Sequence, residues 1–286
     1  MKNIFSPKQV ARALDVSESS LKRWCDRGLI PMVKTAGGHR RIALSDIVSF
    51  IRGSDQALVR PEILGLPPIS GAGERVLART REHLLAAMAK GDEEACRRLT
   101  VELFLAGYRM CEICDEVLAF VMNRVGELWE CGDMEVYQER LGCEICTRIL
   151  DDCRDYVPVP LPDAPLAIGA TPAGDPYTLA TRMAELVLKE SGWHSISLGN
   201  NLPLRTLAVA VRDKRPRLVW LSVSYIPDVD AFVDEYTEFH ASLDPRVAVV
   251  IGGRALTESL RRRIRFFGYC ESFQQLGEMA VTLKAN

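Results

Sequence analysis

No run of eighteen or more apolar residues occurs in the 286-residue sequence, and its first residues carry no basic, apolar, small-residue leader. A membrane span and an exported chain are therefore not expected, and the chain is expected in the cytoplasm. Histidine is scarce, at four residues, and His194 and His240 stand isolated, which reads as surface or core placement. No nucleophile–base set and no phosphate loop stands out, so no catalytic residue is nominated and the chain is not expected to be an enzyme. With 48% hydrophobic and 26% charged residues, the chain is globular and long enough for two or three domains.

Cysteine is not lacking: seven of the nine fall between Cys96 and Cys153. That stretch is helical in pattern and unlike a loop-rich secreted scaffold, which leaves free thiols or a metal. The net charge of −2 conceals an asymmetry. Residues 1–53 hold ten Lys and Arg against four Asp and Glu, or +6, leaving −8 on the other 233 residues. A basic module of this size on an acidic body is suited to phosphate, where released counterions supply affinity without sequence preference.

Local signals order this module. Ser6-Pro7-Lys8-Gln9 can start a helix, with Ser6 as cap, Pro7 in the first turn and Gln9 reaching back. A short helix to about Leu14 follows, and Ser17 can cap a second over Glu18–Arg27, ended by Gly28. Leu21 and Trp24 share one face of that helix, while Ser19, Ser20, Lys22 and Arg23 point largely elsewhere. Two short capped helices joined by a tight turn predict a helix-turn-helix whose second helix reads a major groove. Pro31–Ile42 predicts two extended pieces around Gly37-Gly38, a wing with His39, Arg40 and Arg41 on its return strand.

The string Ser20-Leu21-Lys22-Arg23-Trp24, Arg27-Gly28-Leu29-Ile30-Pro31 and Gly37-Gly38-His39-Arg40-Arg41-Ile42 resembles the amino-terminal winged helix of the MerR family. The resemblance implies double-stranded DNA as partner, with Ser19, Ser20, Lys22 and Arg23 facing bases and phosphates and His39, Arg40 and Arg41 gripping the backbone. Metal-sensing members continue into a dimerising coiled coil. Here residues 54–73, with Pro61, Gly65, Pro67, Pro68, Gly71 and Gly73, read instead as a flexible linker.

Four helices are predicted over roughly 74–90, 92–106, 110–129 and 133–156, a four-helix bundle within a domain 74–157. Proline-rich Val157–Pro165 separates it from a domain over 166–286. There, apolar runs at 166–170, 195–198, 218–222 and 247–251, with a weaker one near 269–273, predict five parallel strands alternating with helices. The expected fold is thus multi-domain: a winged helix-turn-helix, a helical bundle and a flavodoxin-like, doubly wound α/β sheet. Ligands of such sheets sit at the carboxyl ends of the strands.

Asp175-Pro176-Tyr177-Thr178-Leu179-Ala180, Ser222-Val223-Ser224 after 41 residues and Gly252-Gly253 after 27 more fall at those ends. The spacing resembles the Asp-x-His-x-x-Gly, Ser-x-Leu or Ser-x-Thr, and Gly-Gly motif of cobalamin-binding domains. By that resemblance, Tyr177 stands where a histidine would ligate cobalt from below, and Ala180 where a glycine lets the backbone close on the corrin. The sequence of domains resembles the light-sensing cobalamin repressors of the CarH type, whose bundle caps the corrin through Trp-x9-Glu-His. Here Trp129 is followed by Glu139 and Arg140, and arginine has no lone pair for cobalt.

The resemblance implies a DNA-binding transcriptional repressor, a homodimer or homotetramer, whose sensor region has lost its cobalt ligands. Trp129, Glu139, Arg140, Asp175, Tyr177, Ser222, Ser224, Gly252 and Gly253 are the candidate cofactor residues. Cobalamin bound with its own base on cobalt, haem on Tyr177, and a purely architectural role for these residues all stay open. So does a module that docks a partner regulator and is tethered to DNA by the winged helix. The identical tetrapeptides Cys111-Glu112-Ile113-Cys114 and Cys143-Glu144-Ile145-Cys146 raise a further alternative, a zinc or iron–sulfur redox site. Antiparallel packing of their helices would bring Cys146 and Cys153 near Cys114 and leave Cys143 more than a turn away. A small buried apolar role for these cysteines is the preferred reading.

Overall fold

The computed structural model describes residues 4–35, 37–54, 56–68 and 73–285. The chain divides into two units, Met1–Val159 and Pro160–Asn286.

The first unit begins with β1 (Ile4–Phe5), α1 (Pro7–Ala13), α2 (Glu18–Asp26), β2 (Val33–Lys34), β3 (Arg40–Ala43) and α3 (Leu44–Arg52). Ser6 and Gln9 form the expected capping box on α1, and the Ser17 hydroxyl accepts the Ser20 amide at 3.0 Å to start α2. Such caps are each worth about 1 kcal/mol. Gly28, at φ +75°, lets the chain turn out of α2. β1 and β2 flank β3, both antiparallel to it. Val10, Leu21, Ile30, Ile42 and Ile47 form a closed core, and Trp24 packs on Phe50 of α3 at 4.9 Å between ring centroids. β1 and α3 extend the expected helix-turn-helix and wing into a complete small domain.

The flexible linker expected over 54–73 is corrected in its first part. Val59 and Arg60 donate their amides to Ala13 O, Arg60 pairs with Asp15 at 3.1 Å, and Pro61–Leu64 form a 3-10 turn. Leu58, Pro61, Leu64 and Leu66 are buried, so the apolar residues between the prolines strap this segment down. Residues 55 and 69–72 of the stretch lie outside the described residues.

The bundle follows as α4 (Glu74–Lys90), α5 (Glu93–Leu105), α6 (Met110–Ile113), a π turn (Cys114–Ala119), α7 (Phe120–Glu130) and α8 (Val136–Cys153). α6, the π turn and α7 continue into one another as the third predicted helix, interrupted by a π turn of a type that often marks functional positions. Leu84, Met88, Phe104, Met110, Val117, Val121, Ile145 and Ile149 close the interior. Arg52 of α3 lies 4.0 Å over the Phe104 ring and donates Nη1 to Phe104 O at 2.8 Å and Tyr108 O at 3.0 Å. The Tyr108 hydroxyl in turn accepts the Gly73 amide at 2.6 Å and donates to Gly73 O.

The second unit runs β4 (Leu166–Ala170), α9 (Leu179–Glu190), β5 (His194–Ser197), α10 (Leu204–Lys214), β6 (Leu218–Ser222), α11 (Val229–Ala241), β7 (Ala248–Gly252), α12 (Glu258–Arg261), β8 (Gly268–Cys270) and α13 (Phe273–Ala285). All five strands are parallel, in the order β5-β4-β6-β7-β8. This is the flavodoxin-like, doubly wound arrangement that the five apolar runs predict. α10, α11 and the segment around α12 pack Leu207, Val211, Phe232, Phe239 and Leu260 on one sheet face, while α9 and α13 cover the other around Trp193 and Trp220. Among the described residues, no helix is long and apolar enough to cross a membrane.

Candidate functional site

The DNA-facing candidates are mostly available to a partner. Ser19, Lys22 and Arg23 are exposed on α2, His39 is exposed on the wing, and Ser20, Arg40 and Arg41 are half-buried. Local bonds order this surface before any contact. Ser17 Oγ meets Ser19 Oγ at 2.8 Å and Ser20 Oγ at 3.0 Å, and Arg23 Nη2 donates to Ser20 Oγ at 3.2 Å. Arg40 reaches from the wing to Asp26 at the end of α2 at 3.6 Å, and Arg41 Nη1 donates to Arg40 O. Exposed cations on a capped helix beside a basic wing suit a phosphate backbone and a base edge.

The second candidate surface lies at the carboxyl ends of the strands. Asp175, fully buried in the loop after β4, is the knot of this end. Its Oδ1 accepts the Tyr177 amide at 3.0 Å, and its Oδ2 accepts the amides of Ser224 at 2.6 Å and Tyr225 at 3.1 Å. Three amides hold both oxygens, and the loops after β4 and β6 are tied through one carboxylate. The loop after β5 joins them: Asn201 Oδ1 accepts the Gly174 amide at 2.7 Å, and Thr171 Oγ1 accepts the Asn201 amide and donates to Asp175 O.

Gly252 and Gly253 end β7 where no side chain fits. A Cβ on Gly252 would lie 2.9 Å from Cys270 O, and one on Gly253, at φ +121°, would lie 2.7 Å from Val223 N. The fold itself requires both glycines at this crossing of backbones. Ser222 is buried at the end of β6, and Ser224 O accepts Arg254 Nε at 3.3 Å. The Arg254 guanidinium carbon stands 4.9 Å from the centre of the Tyr177 ring, which is 44% exposed. Asp175, Tyr177, Ser224 and Arg254 thus form one cluster. Arg254 had no place in the motif, although its position directly after Gly252-Gly253 is a signal that sequence reading could have used.

This donor set contains no imidazole. The two histidines of the unit are elsewhere: His194 opens β5 and bonds Leu161 O at 2.8 Å, and His240 stacks on Tyr236 near the end of α11. The Asp175 carboxylate, which could otherwise orient a ligand, is held by amides. The residues at this sheet end thus offer no histidine to ligate a corrinoid's metal.

In the bundle, Trp129 is 45% exposed at the end of α7, Glu139 is half-buried on α8, and Arg140 is exposed with its Nε 3.6 Å from Glu139. Glu139 Oε1 accepts the Cys143 thiol at 3.3 Å. Phe120 and Tyr137 are exposed as well, so the bundle presents several aromatic side chains.

Among the described residues, no group of three or more His, Cys, Asp or Glu is gathered closely enough to hold a metal, and Cys111, Cys114, Cys143 and Cys146 do not form one. Cys96, Cys111, Cys114, Cys146 and Cys153 are buried in the packed interior. Burial, followed by the fields of Cys146, Asp115, Cys153 and Cys111, raises the Cys114 thiol well above its usual range. Burial likewise pushes Cys153 to about 12, and Cys143 reaches about 12 through burial and then Glu139. Thiols held protonated in this way are poor nucleophiles. Cys131 is the one exposed cysteine of the nine. Ellman's reagent at pH 7.5 is expected to give one fast equivalent per native chain and the other eight after denaturation; a fast phase of three or more would contradict this packing.

The comparisons with known proteins follow the same division. A "Helix-turn-helix domain" family model matches residues 4–55, and two models described as "B12 binding domain" match residues 80–153 and 165–272. The transcriptional repressor CarH of Myxococcus xanthus is 26% identical over 253 residues, covering 82% of this chain and 84% of its own length. CarA, a transcriptional repressor of the same organism, is 24% identical over 285 residues, with 94% and 93% covered. The monomethylamine corrinoid protein of Methanosarcina barkeri superposes with a TM-score of 0.57 at 18% identity, covering 72% of this chain and 99% of that one, a likeness of fold alone. Neither curated relative is named for an enzymatic activity. The chain thus matches a helix-turn-helix domain model and two B12 binding domain models, and is distantly similar along most of its length to the CarH and CarA repressors.

Proposed function

We propose that the protein is a cytoplasmic, homo-oligomeric transcriptional repressor that binds double-stranded DNA through its winged helix and whose sensor region takes a corrinoid with the cofactor's own base left on cobalt. The observation that carries the DNA part is the capped α2 with Lys22 and Arg23 exposed beside the basic wing. Lys22, Arg23 and Ser19 meet bases and phosphates, His39 and Arg41 hold the backbone, and Arg40, braced on Asp26, fixes the wing against the reading helix.

For the sensor, a bound corrinoid would supply a cobalt centre. The chain's own residues would bind and orient the ring without ligating the metal. At the sheet end, Tyr177 under Arg254 presents a phenol face and a cation beside Ser224; the bundle, by itself, presents Trp129 and Glu139. Arg140, a guanidinium without a lone pair, would not ligate the metal of such a group. DNA affinity is therefore independent of light.

The test has two arms. In gel shifts against DNA selected by the protein, Lys22→Ala and Arg23→Ala are each expected to weaken binding about 5- to 150-fold, following losses of about 1–3 kcal/mol per lost contact. No change in either variant would remove α2 as the reading helix. After dark incubation with adenosylcobalamin and desalting, the retained spectrum is expected to be base-on and the gel shift unchanged by illumination. A histidine-ligated spectrum, or light-dependent release from DNA, would overturn the sensor reading.

A further inference from the structure

Away from the Asp175 end of the sheet, a groove of about 1140 Å³ runs along α10 and α11 toward the amino ends of β6 and β7. Val211 and Phe239 form its buried apolar floor. Its rim is rich in arginine, and the arginines fall into two groups. Arg217 donates Nη2 to Leu283 O, and Arg246 is pinned on Asp244 at 2.7 Å, with that carboxyl lowered to about 2 by the contact. Arg205, Arg212 and Arg215 have no such engagement: among the described residues, no carboxylate lies within ion-pair reach of them. Arg205 and Arg212 are seven residues apart on one face of α10, about 10 Å along its axis, and Arg215 follows one turn later.

The backbone at Arg215 makes the second, independent observation. Arg215 closes α10 in the left-handed conformation, φ 52° and ψ 54°, with its amide on Val211 O. Of the three non-glycine residues with positive φ among the described residues, the other two are Asp15 and Asn201, types that adopt it readily. Glycine is the residue favoured at such a helix end. An arginine held there places a guanidinium on the groove against the preference of its own backbone, and strain of this kind concentrates where a side chain is used.

We infer that the α10–α11 groove is a second ligand site, separate from the cobalamin-type surface, which takes a small polyphosphate anion such as a nucleoside triphosphate on Arg205, Arg212 and Arg215. Guanidinium forks match phosphate oxygens in pairs, and three spread over more than 10 Å suit a phosphate chain better than a single phosphate. The apolar floor gives the rest of such a ligand a dry surface. A DNA backbone suits the groove less, because Glu238 on the opposite wall repels an extended run of phosphates, Asp244 being paired with Arg246. Glu235, the remaining carboxylate, is already spent on the Leu204 amide at 2.7 Å.

The experiment is isothermal titration calorimetry of the full chain with ATP and with inorganic tripolyphosphate, for the wild type and the variants Arg212→Gln, Arg215→Gly and Lys22→Ala. Saturable binding of both probes is expected, weakened at least tenfold by Arg212→Gln and by Arg215→Gly and unchanged by Lys22→Ala. Arg215→Gly is expected to raise the melting temperature of the same sample, so that its loss of binding is not a loss of fold. No saturable binding, binding that both groove variants leave intact, or binding lost only in Lys22→Ala would each overturn the proposal. DNA binding by the groove variants, followed in parallel, keeps its failure distinct from a failure of the winged helix.

Discussion

Gly253→Ala is expected to unfold the second unit. The new methyl would stand inside the contact distance of three Val223 backbone atoms, the nitrogen at 2.7 Å among them, and backbone at a strand end cannot withdraw as a flexible side chain can. The residue also sits at φ +121°, a conformation that costs an L side chain roughly 1–3 kcal/mol by itself. Together these are comparable to the whole stability of a domain, typically about 5–15 kcal/mol. The measurement is tryptophan emission: Trp193 and Trp220 are buried in this unit, and their emission shifts to the red when it opens. Gly132→Ala is the control, since its φ is +80° but nothing lies within 4 Å of its new methyl. It is expected to cost about 1 kcal/mol. A Gly253→Ala chain with native emission and melting would show that the strand ends can separate, and the close crossing would lose its structural meaning.

Asp175→Ala ranks second. Removing the carboxylate leaves the amides of Tyr177, Ser224 and Tyr225 without their acceptor in a place where Asp175 itself has no exposure. Hydrogen bonds to a charged group are worth about 1.5–3 kcal/mol each, and unpaired buried donors add to the loss. A destabilisation of about 3–5 kcal/mol is expected in urea unfolding followed by the same emission. Asp175→Asn should recover part of it, because its one oxygen can serve one side of the knot while its amide group faces donors on the other. Equal stability of the alanine variant and the wild type would mean that water replaces the carboxylate, and the three loops would then be independent of one another.

Much of the architecture was legible before any coordinates. Leu166–Ala170 and Leu218–Ser222 fall on their expected residues because strands covered by helices on both faces are apolar without interruption. β8 is shorter than expected, Gly268–Cys270 against 269–273, as befits an edge strand with one neighbour. The two helix starts at Ser6 and Ser17 were legible because a cap is a local bond whose parts lie three residues apart. The strap over Leu58–Leu66 was not. Prolines and glycines announce where a helix cannot run, but whether Leu58, Leu64 and Leu66 find a surface depends on α1, more than forty residues upstream.

The candidate site divides along the same line. Asp175, Ser224 and Gly253 could be named from motif spacing, yet what they do in this chain rests on distant contacts: a carboxylate knot across about fifty residues and a crossing of backbones across thirty. Arg254 escaped notice because its partner, the Tyr177 ring, is remote in sequence. The cysteines were legible in part: helices packed antiparallel bring Cys114 within the fields of Cys146 and Cys153, while the repeated tetrapeptide carries no information on burial.

The Arg52 contact with Phe104 has a consequence for how the protein searches DNA. A free tether of twenty residues would let the winged helix wander over roughly 25 Å. Docked through Arg52 and strapped by Leu58 and Leu64, it is denied that sphere, and α2 turns only as far as α5 turns. The aim of α2, the proposed reading helix, is thus carried by the bundle, in the manner of a rudder fixed to its stock.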